Sequence, residues 1–176
     1  MNPFFLALCC LASGAETALS QSPKLTVTSA AFADGRAIPV KYTCQGRDLS
    51  PPLKWEGAPP NTKSFALICD DPDAPAGTWV HWVLYNLPPG TASLAENTPK
   101  TAALSNGAAQ GVNSFGKIGY GGPCPPPGGA HRYFFKLYAL DTVLAPKGRV
   151  NKEELLAAMR DHILAEGQLM GTYLRE

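Results

Sequence analysis

Three short segments of the 176-residue chain carry the side chains that could do chemistry. Asp70-Asp71-Pro72-Asp73-Ala74-Pro75 sets three carboxylates among two prolines, directly after an apolar run. Pro72 and Pro75 interrupt a strand ladder and stiffen the chain, so the acids sit at a fixed strand end; an ordinary turn has the same composition. In Trp79-Val80-His81-Trp82-Val83-Leu84-Tyr85-Asn86, period-two alternation puts Trp79, His81, Val83 and Tyr85 on one face and Val80, Trp82 and Leu84 on the other. Both faces are apolar, which fits a strand covered on both sides, where a histidine is either a satisfied core residue or a group turned to a ligand. The third segment is Gly119-Tyr120-Gly121-Gly122-Pro123-Cys124-Pro125-Pro126-Pro127-Gly128-Gly129-Ala130-His131-Arg132-Tyr133. Its glycines free the backbone to approach a ligand, and Gly121 and Gly122 can expose N–H groups in a concave anion-binding nest. His131 and Tyr133, two apart on the strand that follows, point to one side. A stiff hairpin connection is the plain structural alternative, and three consecutive prolines are too few for much polyproline docking surface.

The elements that must hold these segments read as strands and turns. Lys24-Leu25-Thr26-Val27-Thr28 alternates in period two. Pro39-Val40-Lys41-Tyr42-Thr43 is short and β-branched, and the prolines of Ser50-Pro51-Pro52-Leu53-Lys54-Trp55 place it at an edge or at the entry to a strand. Ser64 to Cys69 and Trp79 to Leu87 read as buried strands, and the aromatic run Arg132 to Leu140 as the strongest strand of all. Residues 88–111 are small and polar enough for a long surface connection. One helix is expected: Asn151 as N-cap, Glu154 completing a capping box, and Leu155, Leu156, Met159 and Ile163 forming an apolar stripe, with Gly167 ending it before a final strand over 168–174. The expected fold is mainly β, an antiparallel sandwich with one packed C-terminal helix.

The composition narrows the partners. With a net charge of +1 and no run of like charges, nothing points to nucleic acid or an anionic membrane. The apolar run Phe4 to Ala12 is too short to span a bilayer but has the length of a signal peptide, and Ala18-Leu19-Ser20 offers small residues for cleavage before Gln21. The expected organisation is therefore an export signal over 1–20 and one domain over 21–176, placed in the periplasm or secreted. Three cysteines remain after cleavage. Cys69 sits in an apolar run as a buried thiol, whereas Cys44 and Cys124 lie in turn-rich sequence and are the expected disulfide pair in an oxidising compartment.

Taken in order, Asp-Pro-Asp-Ala-Pro, the Trp/His strand and Gly-Pro-x-Pro-Pro-x-Gly-x-x-His-Arg-Tyr resemble the two signature regions of the phosphatidylethanolamine-binding protein family. Tyr42-Thr43-Cys44, the 50–55 segment and Ala165-Glu166-Gly167 resemble its bacterial Raf-kinase-inhibitor-like branch. The resemblance spans roughly Lys24 to Arg175. It implies a pocket for a small anion or phosphorylated head group built from Asp71, Asp73, Pro75, His81, Gly122, Pro123, His131 and Tyr133. His131 and Tyr133 would donate to phosphate oxygens, and Trp79 would form an apolar wall. It further implies a binding protein without a cofactor rather than an enzyme, with regulation of a protein partner, or inhibition of a protease or kinase, as related roles. The short link Ala76-Gly77-Thr78 lacks the longer insert of animal relatives, which argues against a kinase-regulating surface. Asp71, Asp73, His81 and His131 also suit a divalent ion, as in a metal-dependent hydrolase, but no H-E-x-x-H spacing, paired-cysteine cluster or G-x-S-x-G accompanies them.

Overall fold

A computed structural model describes residues 24–175. The expected export signal, residues 1–20, lies outside the described residues. Nine strands and one α-helix follow one another: β1 (Thr26–Thr28), β2 (Arg36–Ala37), β3 (Leu53–Glu56), β4 (Ser64–Asp71), β5 (Trp79–Leu87), β6 (Ser93–Leu94), β7 (Ala109–Gln110), β8 (His131–Leu140), α1 (Lys152–Met159) and β9 (Ile163–Tyr173). They form a six-stranded sheet in the order β2-β9-β8-β4-β5-β7 and a three-stranded sheet in the order β1-β3-β6. Pairing is antiparallel except where β2 joins β9 in parallel.

The continuous burial of β4 explains its unbroken apolar sequence, because both faces of the large sheet are covered. On one face Leu67, Trp82, Leu84, Phe135 and Leu137 meet Val27, Leu53 and Trp55 of the small sheet. On the other, Ile68, Val83 and Tyr138 pack under Leu144, Val150, Leu155 and Met159. The molecule is thus a sandwich with α1 as a third layer. Asn151 caps α1 as its sequence promised: its side chain accepts from the Glu154 N–H at 2.8 Å while the Glu154 carboxylate accepts from the Asn151 N–H at 2.8 Å.

Four local expectations give way to tertiary structure. Residues 40–42 form a 3-10 turn rather than a strand: their backbone bonds locally, Tyr42 N–H to the Pro39 carbonyl and the Val40 and Lys41 carbonyls to the N–H groups of Thr43 and Arg47, while the Tyr42 carbonyl accepts from the Tyr120 hydroxyl. The helix stops at Met159, so Leu155 and Met159 are buried while Leu156 is exposed. Ile163 starts β9, whose pairing with β8 outweighs one further helical turn. Gly167 therefore lies inside a strand, where a Cβ would overlap the Leu25 carbonyl. Within 88–111, β6 and β7 and the buried Leu94, Thr98, Ala108 and Gln110 make that connection part of the structure rather than a surface loop.

Candidate functional site

The three segments of interest converge at one end of the central strands: the end of β4, the start of β5 and the start of β8. There Asp71, Trp79, His81, His131 and Tyr133 line a cavity of about 330 Å³, with Pro75, Phe115 and Pro125 among its walls. Asp71 is its charged anchor and is almost wholly buried. One of its carboxylate oxygens accepts from the Asp73 N–H at 2.8 Å and the other from His131 Nδ1 at 2.7 Å. A carboxylate accepts only, so Nδ1 of His131 carries a proton and Nε2 is the ring nitrogen left to the cavity.

Tyr133, on the same strand as His131, is buried in the cavity wall. Burial, reinforced by the charge and hydrogen bonding of the neighbouring Asp71 carboxylate, raises its pKa far above the ordinary phenol range, so the hydroxyl stays a donor.

His81 reaches the cavity through an irregularity in the sheet. On β4, Cys69 faces Trp82 and Asp70 faces Val80, so β5 carries one extra residue at His81. The bulge corrects the expected faces: Val80 joins Val83 and Tyr85 in the core beneath α1, while Trp82 and Leu84 join the other core. The His81 ring turns to meet Tyr133 edge-on at 5.1 Å. Its Nδ1 donates to the Gly121 carbonyl at 2.6 Å, and burial lowers its pKa, keeping the ring neutral around pH 7.

Asp73, Gly122 and Pro123, which the resemblance assigns to the pocket, do not line the cavity. Asp73 turns to Arg132, accepting at 2.9 Å from Nε, at 2.7 Å from Nη2 and at 2.9 Å from its backbone N–H. That fork, above all its side-chain hydrogen bonds, lowers the Asp73 pKa to about 2. The anion nest is not formed either, since both glycine N–H groups already have acceptors. Gly121 donates to the His81 carbonyl at 2.9 Å and Gly122 to the Asp48 carboxylate at 2.6 Å. Gly122 is needed for close approach instead: a Cβ there would overlap the Tyr42 carbonyl oxygen. Pro123 stands behind the wall, its carbonyl accepting from the Cys44 N–H at 3.1 Å.

Phe115 escaped the sequence reading. Its ring meets Trp79 at 5.4 Å and His81 at 5.5 Å, closing the cavity from a loop that offers no strand period. The buried Asn113 shapes that loop by accepting from the N–H groups of Phe115 and Lys117 at 3.0 and 3.1 Å. An Asx turn displaying a lone aromatic was the signal that could have found it.

Cys44 and Cys124 are disulfide-bonded, with Cα atoms 5.4 Å apart, and Cys124 lines the cavity. Cys69 is a buried free thiol whose pKa burial pushes well up.

The comparisons with known proteins agree with this architecture. The family model described as phosphatidylethanolamine-binding protein matches residues 28–174. A UPF0098 protein of Methanothermobacter thermautotrophicus is 54% identical over 145 residues, covering 82% of this chain and 95% of its own. The solved structure of the phosphatidylethanolamine-binding protein homologue CT736 of Chlamydia trachomatis is 47% identical with a TM-score of 0.79, covering 88% of this chain and 100% of its own. That of E. coli YbcL, described as a member of the mammalian family, is 32% identical with a TM-score of 0.81, covering 87% and 99%. With the family model matching most of its length, this chain belongs to the phosphatidylethanolamine-binding protein family.

Proposed function

We propose that the protein is an exported, non-enzymatic binding protein whose cavity takes a small oxyanion, either phosphate or the phosphoryl head of a larger ligand, and which thereby regulates a protein partner. The observation that carries this reading is the Tyr133 hydroxyl, buried in the cavity wall beside the Asp71–His131 pair. Its permanent donor suits an oxyanion acceptor, and His131 adds a second donor once Nε2 is protonated. Among the described residues no lysine or arginine lines the cavity, and the Asp71–His131 bond fixes the imidazole's direction. An Asp–His pair can also orient a general base; among the described residues no serine or threonine lines the cavity, and the cysteine there is held in a disulfide. Export rests on the apolar run Phe4 to Ala12 and the small residues before Gln21.

Calorimetric titration with inorganic phosphate and sulfate tests the reading. Binding to the wild type should weaken about 10- to 100-fold in Tyr133→Phe, the loss of one hydrogen bond to a charged group. Equal affinities in the two proteins, or no binding of either anion, would overturn it.

A further inference from the structure

We propose that the Cys44–Cys124 disulfide is a thiol-exchange site that controls the cavity, so that reduction releases the proline wall and weakens ligand binding. This rests on the reading of the cavity as an anion site.

The wall depends on a buttress distant in sequence. The Tyr120 hydroxyl donates to the Tyr42 carbonyl at 2.9 Å, the Gly122 N–H to Asp48 at 2.6 Å and the Cys44 N–H to the Pro123 carbonyl at 3.1 Å. Asp48 is itself held by Lys100 at 2.6 Å and takes up a left-handed backbone with φ 55°, a conformation uncommon outside glycine. These ties end at residue 123. Beyond it, residues 125–127 have no N–H to donate, and among the described residues no backbone hydrogen bond involves 125–130 before β8 begins at His131. Pro125 and Pro126 nonetheless line the cavity. The covalent bond at Cys124 is therefore the last anchor on the wall, at the residue immediately preceding the part that faces a ligand.

The bond is open to attack from one side. Cys44 is exposed, whereas Cys124 is half-buried in the cavity wall. A thiolate of a dithiol reductant attacks Sγ of Cys44; the S–S bond breaks, and Cys124 leaves as a thiolate that takes a proton from water. The second thiol of the reductant then displaces Cys44 from the mixed disulfide. Two electrons pass from the dithiol, which closes into its own disulfide. Cys69 takes no part, being buried and held as a thiol.

Binding to a preorganised wall is stronger than binding to one that must be ordered on contact. The test compares the oxidised chain, the chain treated with dithiothreitol and the Cys44→Ser/Cys124→Ser double variant. Three readouts are taken: phosphate affinity, far-UV circular dichroism and imidazole NMR signals. The chain has three histidines, of which His81 and His131 line the cavity while His162 pairs with Asp141 outside it. Reduction should raise the phosphate dissociation constant about tenfold. It should move the His81 and His131 signals but not that of His162, with all effects reversed by reoxidation. The double variant should match the reduced chain and ignore dithiothreitol. Unchanged affinity and unchanged His81 and His131 signals in protein with two newly alkylatable thiols would overturn the inference, as would global unfolding on reduction. If the oxidised chain binds no phosphate yet the two histidine signals still move selectively, the anion reading fails and the control of the cavity by this bond stands.

Discussion

Asp70 and Asp71 are neighbours on β4 whose carboxylates serve opposite faces of the large sheet. Asp71 meets His131 in the cavity, while Asp70 receives Lys152 of α1 at 2.6 Å and Lys136 of β8 at 2.9 Å. Strand alternation turns one dipeptide into a cavity group and a structural pin. Substitution should separate the two roles. Asp70→Asn breaks a buried ion cluster and should lower unfolding stability by about 3 kcal/mol, the low end for severing a buried pair, because the lysines can reach water. Phosphate affinity of its folded fraction should stay at the wild-type level. Asp71→Asn should abolish most phosphate binding with a smaller loss of stability. Chemical denaturation alongside titration would show whether the two effects exchange places.

His131→Ala should weaken the binding of both sulfate and phosphate, because Nδ1–H of His131 faces Asp71 and Nε2 is the ring nitrogen left to the cavity. Calorimetric titration of the variant is the measurement, and affinities equal to those of the wild type would contradict the assignment.

Asp73 contributes to acid stability rather than to the ligand. Its folded pKa, lowered to about 2 chiefly by Arg132, lies below the unfolded carboxylate value of roughly 3.9. The contribution is therefore complete above about pH 4 and disappears as pH falls toward 2. Asp73→Asn should be less stable than the wild type at pH 7, with the gap closing across that window. Urea midpoints measured from pH 7 to 2 give the comparison, and a gap that persists at pH 2 would place its origin elsewhere.

Gly167→Ala should destabilise the seam between residues 24–28 and β9. Its Cβ would come within 2.7 Å of the Leu25 carbonyl carbon and 2.8 Å of the Leu25 Cβ, where the Leu25 N–H also donates to the Glu166 carbonyl. Overpacking of this kind costs about 1–3 kcal/mol. Gly90→Ala, with open space around it, is the control that should change little.

The N-terminus of the protein recovered from its native host should read Gln21. Mass spectrometry of the intact protein, fractionated by compartment, checks this, and an intact Met1 on cytoplasmic material would end the export proposal.

Much of the site was legible because chemistry and punctuation coincide in it. Asp71 follows an apolar run and precedes Pro72, and His131 opens the most aromatic strand, so their segments could be found without knowing how the sheet pairs them. Pairing itself was less visible. The extra residue at His81 changes which side chains share a face, and period-two reading cannot see an insertion that only the partner strand reveals. Ile163 suited a helical stripe, yet an 11-residue strand was available to it once β8 was in place. Gly122 was read as freeing the backbone to approach a ligand, whereas the close approach it permits is to the Tyr42 backbone. Composition states that a residue must be small and not what it is small for.

The pairing of β4 with β8 has a consequence for how the protein comes to bind anything. Asp71 and His131 lie 60 positions apart, and the cavity exists only where the strands carrying them are paired. No fragment ending before β8 contains the cavity, and closing so distant a contact is slow compared with local turns. A ligand therefore meets the domain only after folding, and its binding energy adds to the stability of the whole domain. A site occupied at 100 times its dissociation constant would hold the fold by about 2.7 kcal/mol more. Resistance to unfolding, followed while candidate molecules are added, is thus a direct way to find the natural occupant.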